Sequence, residues 1–317
     1  MPPKALTAHD PDDIPPELTS GVVAIGNFDG VHRGHAVLLE RTLAEARRRG
    51  VPAVVLSFEP HPRTFFQPQR PVFRLTSVRE KAQRLARVGI DGLVVAPFDL
   101  ALAGASPARF AEEMLAARLK AQAVVVGPDF RYGARRAGSI ETLKADGERL
   151  GFDVVVVPIV MEGEARASST LVREALAEGN VERAGVLLGH PWFVTGTVIH
   201  GDRRGRDLGF PTANIALGPD CRLRHGVYVV TLTRADGTVH EGVASYGRRP
   251  TFDNGAPLLE TFVLDFSGDL YGEEVTVTFL AWRRPELRFD SVEALMAAMR
   301  EDVAAARTYF SAHPPAV

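Results

Sequence analysis

"GNFDGVHRGH", residues 26–35, lies between "VVAI" (22–25) and "AVLLERTLAEARRRG" (36–50). A short apolar run gives way to three glycines, an Asn, an Asp and two histidines three residues apart. A helical pattern follows: Ala36, Leu39, Leu43 and Ala46 share a face, and Gly50 ends it. Little side-chain bulk at a strand-to-helix junction lets a phosphate approach the backbone. The helix start adds free N–H groups and the positive end of a dipole. His32 and His35 frame Gly34. An imidazole there can donate to a phosphate oxygen and carry charge as charge builds up, which suits attack on an α-phosphate. Histidines at this spacing also suit a metal, but no third ligand is obvious near them. On spacing alone, two ordinary loop histidines remain open. The glycines and the strand–helix setting favour a nucleotide site.

Working outward, "VVAI", "PAVVLSF", "GLVVAPF", "AVVVG" and "DVVVVPIV" are apolar on both faces, as buried parallel strands are. Helical patterns separate them. Ser77 and Glu80 form a capping box, and Ser106 with Pro107 starts a third helix. The alternation predicts a doubly wound parallel sheet, which binds ligands at the carboxyl ends of its strands. "STLVREALAEG" and "NVERAGVLLG" read as closing helices.

After Gly189 the pattern changes. "FVTGTVIHG", "GVYVVTLTR", "TVHEGVASYG", "LETFVLDF" and "EEVTVTFLAW" read as strands joined by turn residues, which suggests a small antiparallel β-barrel. A C-terminal helix follows, capped by Asp290 and Glu293, with Val292, Leu295, Met296, Met299 and Val303 on its inner face. The expected division is a flexible N-terminal segment over 1–20, the sheet domain over 21–187 and the barrel domain over 188–317.

The 317 residues carry a formal charge of −2, which gives no reason to expect nucleic acid or an acidic membrane as a partner. The basic clusters Arg47–Arg49 and "DRRGR" (202–206) are local. Cys221 is the only cysteine, so neither an internal disulfide nor a cysteine metal cage is possible. With no signal-peptide pattern and no bilayer-length apolar run, a reduced, cytoplasmic protein is expected, as a monomer or weak homo-oligomer.

The opening segment resembles the H-x-G-H signature of the nucleotidyltransferase superfamily. The fuller sequence resembles the bacterial bifunctional riboflavin kinase and FAD synthetase family. "SFEPHPR", "VGPDFRYG" and "ASSTLVR" recur in order in the first half. "GDRRGRDLGFPTANI", "GVYVV", "GRRPTF" and "ETFVLDFSGDLYG" do so in the second. The resemblance implies that the barrel phosphorylates riboflavin with ATP to give FMN. The sheet domain then joins FMN to AMP from a second ATP, giving FAD and pyrophosphate, with Mg²⁺ as cofactor.

The resemblance also implies site residues. Gly26, Asn27, Phe28, Asp29 and Gly34 would cradle phosphate beside His32 and His35. Ser169 and Thr170 would offer hydroxyls and N–H groups, and Arg173 would meet the β- or γ-phosphate. Plain helix capping explains the serines nearly as well. Asp129 and Arg131 could meet ribose, phosphate or Mg²⁺, while Phe130 could be packing only. His61 ranks below the other histidines. In "PTAN", Thr212 and Asn214 point the same way from an extended segment, and their neutral oxygens suit Mg²⁺ held by phosphates. Gly209 and Pro211 would shape that loop. Without the resemblance, an ordinary polar turn is the simpler reading.

By alternation Glu260 shares a face with Phe262, Leu264 and Phe266. A carboxylate on an apolar face needs a partner or a task. The resemblance makes it the base for the riboflavin 5′-hydroxyl; a glutamate paired with an arginine is the other reading. Ala167, Val172, Ser245 and Phe262 depart from the usual family pattern. Two rival functions stand: a kinase with an inactive nucleotidyltransferase scaffold, against which the intact His32, Gly34 and His35 argue, and a non-catalytic flavin- or RNA-binding module.

Overall fold

The computed structural model describes residues 5–158, 167–200, 209–248 and 257–314. Its packing divides after Ser169, into Met1–Ser169 and Thr170–Val317. The first unit runs β1 (Leu6–Ala8), β2 (Val22–Ile25), α1 (Arg33–Arg49), β3 (Ala53–Glu59), α2 (Pro62–Phe66), α3 (Val78–Arg87), β4 (Gly92–Pro97) and α4 (Leu100–Gly104). It continues with α5 (Pro107–Phe110, then a π-helical turn over Ala111–Arg118), β5 (Ala123–Val126), α6 (Ile140–Leu150) and β6 (Asp153–Val156).

The strands form one sheet in the order β1-β4-β3-β2-β5-β6, with every pair parallel. Side-chain alternation sends Val23, Ile25, Leu56 and Val124 into one core and Val22, Ala24, Val55 and Val125 into the other. That explains runs apolar on both faces. From β2 the chain builds outward through β3 and β4, then returns to β2's other side for β5 and β6. The reversal puts the crevice at the carboxyl end of β2, where Gly26–Val31 emerges.

The expected helix ends form. Gly50 closes α1 in the left-handed region at φ 67°. Ser77 and Glu80 make both bonds of the capping box on α3, and Ser106 accepts from Arg109 N. Within the expected N-terminal segment, residues 5–20 carry two short elements. Leu6–Ala8 pairs in parallel with β4, and Leu18 is buried on a short helical turn over Pro16–Leu18. A three-residue strand is too short to show a period, and Pro16 starts a turn rather than breaking one.

The second unit follows from α7 (Ser169–Glu178), whose first residue is the last of the first unit. It holds α8 (Val181–Leu188), β7 (Phe193–Thr197), β8 (Thr212–Ala216), β9 (Gly226–Thr233), β10 (Val239–Gly247), β11 (Leu258–Val263), β12 (Glu274–Pro285) and α9 (Val292–Ala312). The six strands pair antiparallel in the order β7-β12-β9-β10-β11-β8. Ile199 N donates to the Asn214 carbonyl at 2.9 Å, an isolated bridge that nearly closes the ring. Gly196 permits the approach, since a Cβ there would fall 2.4 Å from Ile215 Cγ2. Inside are Ile215, Tyr228, Val230, Tyr246, Leu259 and Phe279, all buried. Outside, Val227, Val229, Val243 and Phe262 pack against Ala306 and Phe310 of α9. Asp302 of α9 is buried and grips Arg284 of β12 at 2.7 and 3.0 Å.

The extended segment read at "PTAN" is part of a sixth strand, β8. Two details differ from expectation. The cap of α9 is Ser291, whose hydroxyl accepts from Ala294 N; the helix begins one residue later than Asp290 implied, and Val292 is exposed. Asp265 takes φ 53° and β11 stops at Val263. The alternation from Glu260 therefore does not continue to Phe266, which instead meets His240 and Arg234. The basic cluster 202–206, Ile159, Val160 and residues 249–252 of "GRRPTF" lie outside the described residues.

Candidate functional sites

In the first unit, the chain leaves β2 and turns sharply before α1. Phe28, Gly30 and Val31 all have positive φ, at 47°, 82° and 44°. A left-handed valine is a strained conformation that only its surroundings can hold. Asp29 supplies part of that hold: its buried carboxylate accepts from Leu75 N at 2.9 Å and Thr76 N at 3.1 Å. Gly30 N donates to Thr76 Oγ1. Asp29 thus uses its carboxylate as a clamp on the loop before α3.

His32 caps α1 with extended backbone, and its ring is buried. The His32 and His35 rings stack, with centroids 3.6 Å apart and planes 20° apart. The Phe28 ring lies 4.9 Å from His35. Gly34 is needed for this packing, because a Cβ there would sit 2.7 Å from the Ala167 carbonyl and 3.0 Å from the His32 ring. Ser169 donates its hydroxyl to the Asp29 carbonyl at 2.9 Å. Two motifs about 140 residues apart in sequence therefore meet at one loop. Thr170, exposed, and Arg173, half-buried, lie further along α7 and belong to the second unit. Val172 is fully buried, so its departure from the family pattern is a packing change.

The remaining predicted residues of this unit sit on neighbouring loops. His61 caps α2, its Nδ1 accepting from Arg63 N at 3.1 Å. Asp129 and Arg131 are exposed after β5. Phe130 stacks on Tyr132 with centroids 5.5 Å apart and packs on the core. The Asn27 side-chain oxygen is buried with no hydrogen-bond partner among the described residues, a feature that fits a loop built to receive a polar ligand.

Two residues escaped the sequence reading. Lys81 is buried on α3, with Nζ 2.8 Å from Ser57 Oγ. Ser57 in turn donates to the Asn27 carbonyl at 3.0 Å. The signal was available: Lys81 occupies an apolar-face position among Val78, Ala82 and Leu85, which pack into the core.

In the second unit, Glu260 of β11 stands directly opposite Asn214 of β8 and Ser245 of β10. Opposed residues share a face, with Cβ atoms about 5 Å apart. Thr212 shares that face opposite Phe262. It is the outer face, the one that Val229, Val243 and Phe262 present to α9. Asn214 is buried, its amide nitrogen donates to the Thr212 carbonyl at 3.3 Å, and its Oδ1 has no partner among the described residues. An orphaned carbonyl-type oxygen beside a hydroxyl suits a hard cation. Phe262, where the family pattern has His, packs edge-on to Phe210 at 5.2 Å. Gly209, with φ 83°, and exposed Pro211 lead into β8. Among the described residues no group of three or more His, Cys, Asp or Glu side chains could hold a metal, so the metal reading of His32 and His35 gains no third ligand.

Comparison with known proteins bears on both sites. The FAD synthetase family matches residues 14–171 and the riboflavin kinase family residues 188–310. The chain is 40% identical over 295 residues to the bifunctional riboflavin kinase/FMN adenylyltransferase of Escherichia coli K12, covering 93% of this chain and 94% of that one. It is 42% identical over 296 residues to the protein of the same description from Pseudomonas fluorescens, with the same coverage. A solved structure described as a macrolide-efflux protein from Streptococcus pneumoniae superposes with a TM-score of 0.83 and 32% identity, covering 96% of this chain and 98% of that one. No helix among the described residues is long and apolar enough to cross a membrane.

Proposed function

The chain belongs to the bifunctional riboflavin kinase/FMN adenylyltransferase family, and we infer that its two units carry out the two reactions in turn. Riboflavin is phosphorylated by ATP to FMN, and FMN is adenylylated by a second ATP to FAD with release of pyrophosphate. The observation that carries this reading is that each unit gathers its own polar constellation, at Gly26–His35 and at Thr212, Asn214 and Glu260. We divide the activities at 187/188, in a cytoplasmic enzyme.

In the kinase reaction, Glu260 takes the proton of the riboflavin 5′-hydroxyl as that oxygen attacks the γ-phosphorus and ADP departs. Thr212 and Asn214 would hold Mg²⁺, for which the orphaned Asn214 Oδ1 fits. The bound ion would neutralise phosphate charge. Gly209 and Pro211 shape the chain leading to them.

In the second reaction, a phosphate oxygen of FMN attacks the α-phosphorus of ATP, and pyrophosphate leaves. His32 and His35 donate to the phosphate where charge accumulates, and the N–H groups of Asn27–Asp29 and the start of α1 add to that, beside Gly26, whose own N–H is taken by the Leu56 carbonyl. Ser169 ties its segment to the loop, and Thr170 and Arg173 serve the leaving phosphates. His61, Asp129, Phe130 and Arg131 border the flavin and ribose.

The test is the purified chain with riboflavin, ATP and Mg²⁺, followed by chromatography. FMN appearing first and FAD after it is the expected result. FMN without FAD would return the scaffold alternative, and neither product would overturn the reading.

A further inference from the structure

The lysine behind the phosphate loop is in an unusual place. Lys81 is 3% exposed, and Ser57, its hydrogen-bond partner, is fully buried. An ammonium is expensive to bury, and an apolar side chain would suit this helix face better on packing alone. Burial pushes the Lys81 pKa down; the charges of Glu59 and Asp29 act against that, and Arg74 acts with it. The group is thus held against its desolvation cost by carboxylates, one of which is the loop's own clamp.

The lysine's connection leads to one peptide. Nζ donates to Ser57 Oγ, and Ser57 spends its single hydrogen on the Asn27 carbonyl. A trans peptide is planar, so its carbonyl and N–H point to opposite sides. Drawing the Asn27 carbonyl toward β3 turns the Phe28 N–H the other way. Phe28 is the first of the loop's positive-φ residues, where a backbone of this kind forms an anion-binding concavity. The donor to Ser57 is an ammonium, which polarises the hydroxyl more strongly than a neutral donor would.

We propose that Lys81 is a positioning residue for adenylyl transfer, fixing the Asn27–Phe28 peptide through Ser57 so that the loop's N–H groups meet the phosphates of ATP. The proposal rests on assigning Gly26–His35 to ATP. Lys81 touches no substrate in this scheme; it acts through Ser57 on the backbone.

The test uses the full chain with Lys81→Met, Ser57→Ala and the double variant. FMN-to-FAD conversion is measured with ATP titrated, riboflavin phosphorylation is measured on the same preparations, and thermal unfolding is recorded. Lys81→Met should lower kcat for FAD formation by about 10–100-fold, the scale of losing a residue that orients a site group. KM for ATP should move much less, and FMN formation should stay at the parent rate. Ser57→Ala should fall in the same direction, and the double variant should be no worse than Lys81→Met, because both act through one connection. Parental kcat in either folded single variant overturns the proposal. So does an additive double variant, or a fall of both activities together with the melting temperature. A parent chain that makes no FAD from supplied FMN removes the ATP assignment itself, which is distinguishable because no variant is then needed to see it.

Discussion

Asn214 faces Glu260 across the β8–β11 pairing, so an uncharged oxygen donor and a carboxylate share the outer face of a nearly closed barrel. The two do different work in the proposed kinase. Glu260→Gln keeps the shape and removes the base, and should cost about 10²–10⁴-fold in turnover while riboflavin still binds. Asn214→Ala should weaken use of Mg²⁺-ATP, with partial recovery at raised Mg²⁺. Single-turnover FMN formation reads both. A Glu260→Gln chain at the parent rate would leave the glutamate an orienting role.

The stacked His32 and His35 are assigned to the other proposed reaction. Replacing both with Ala should cut FAD formation by about 10²-fold or more, the scale of losing a preorganised donor to phosphate. FMN formation should persist, since the proposed kinase site in the barrel takes its own ATP. Equal loss of both activities in a folded protein would contradict two separate sites.

Asp302 fastens α9 to β12 through Arg284. The carboxylate is buried, and removing one partner of such a pair leaves a charge without compensation. Asp302→Ala should lower the unfolding free energy of the barrel by about 3 kcal/mol, measured in urea. A change under about 1 kcal/mol would place this pair with ordinary surface ion pairs.

Lys81 gives a pH dependence with a fixed sign. Its pKa lies below the ordinary 10.5, chiefly through burial. Between the lowered value and 10.5 the unfolded chain keeps a proton that the folded chain has released. Stability contributed at this position therefore rises with pH across that window. Lys81→Met cannot show the rise, so the parent-minus-variant difference in unfolding free energy should grow as pH is raised toward 10.5. Denaturant titrations of both proteins at matched pH measure it, and a flat or shrinking difference contradicts the assignment.

Much of this was legible in the sequence because it depends on local pattern. Val22–Ile25 reads as a buried strand from its own residues, and Ser77 with Glu80 reads as a cap from its own spacing. What escaped depends on distant partners. Leu6–Ala8 is a strand only because β4 offers an edge. The bonds of the Asp29 carboxylate to Leu75 N and Thr76 N join segments that sequence alone does not bring together. Lys81 sits on an apolar face that the sequence shows, but its bond to Ser57 is made across 24 residues and does not show there. The register that sets Asn214 against Glu260 could not be read from either segment alone, since it comes from strand pairing.

Asn214 has two duties: its carbonyl receives Ile199 N and nearly closes the ring, while its side chain faces outward. Side chains alternate along a strand, so a slip of β8 by one residue would turn Asn214 inward and put Ala213 or Ile215 in its place. The same slip would misalign the closing hydrogen bond. The register of β8 therefore sets both the closing hydrogen bond and the placement of Asn214 opposite Glu260.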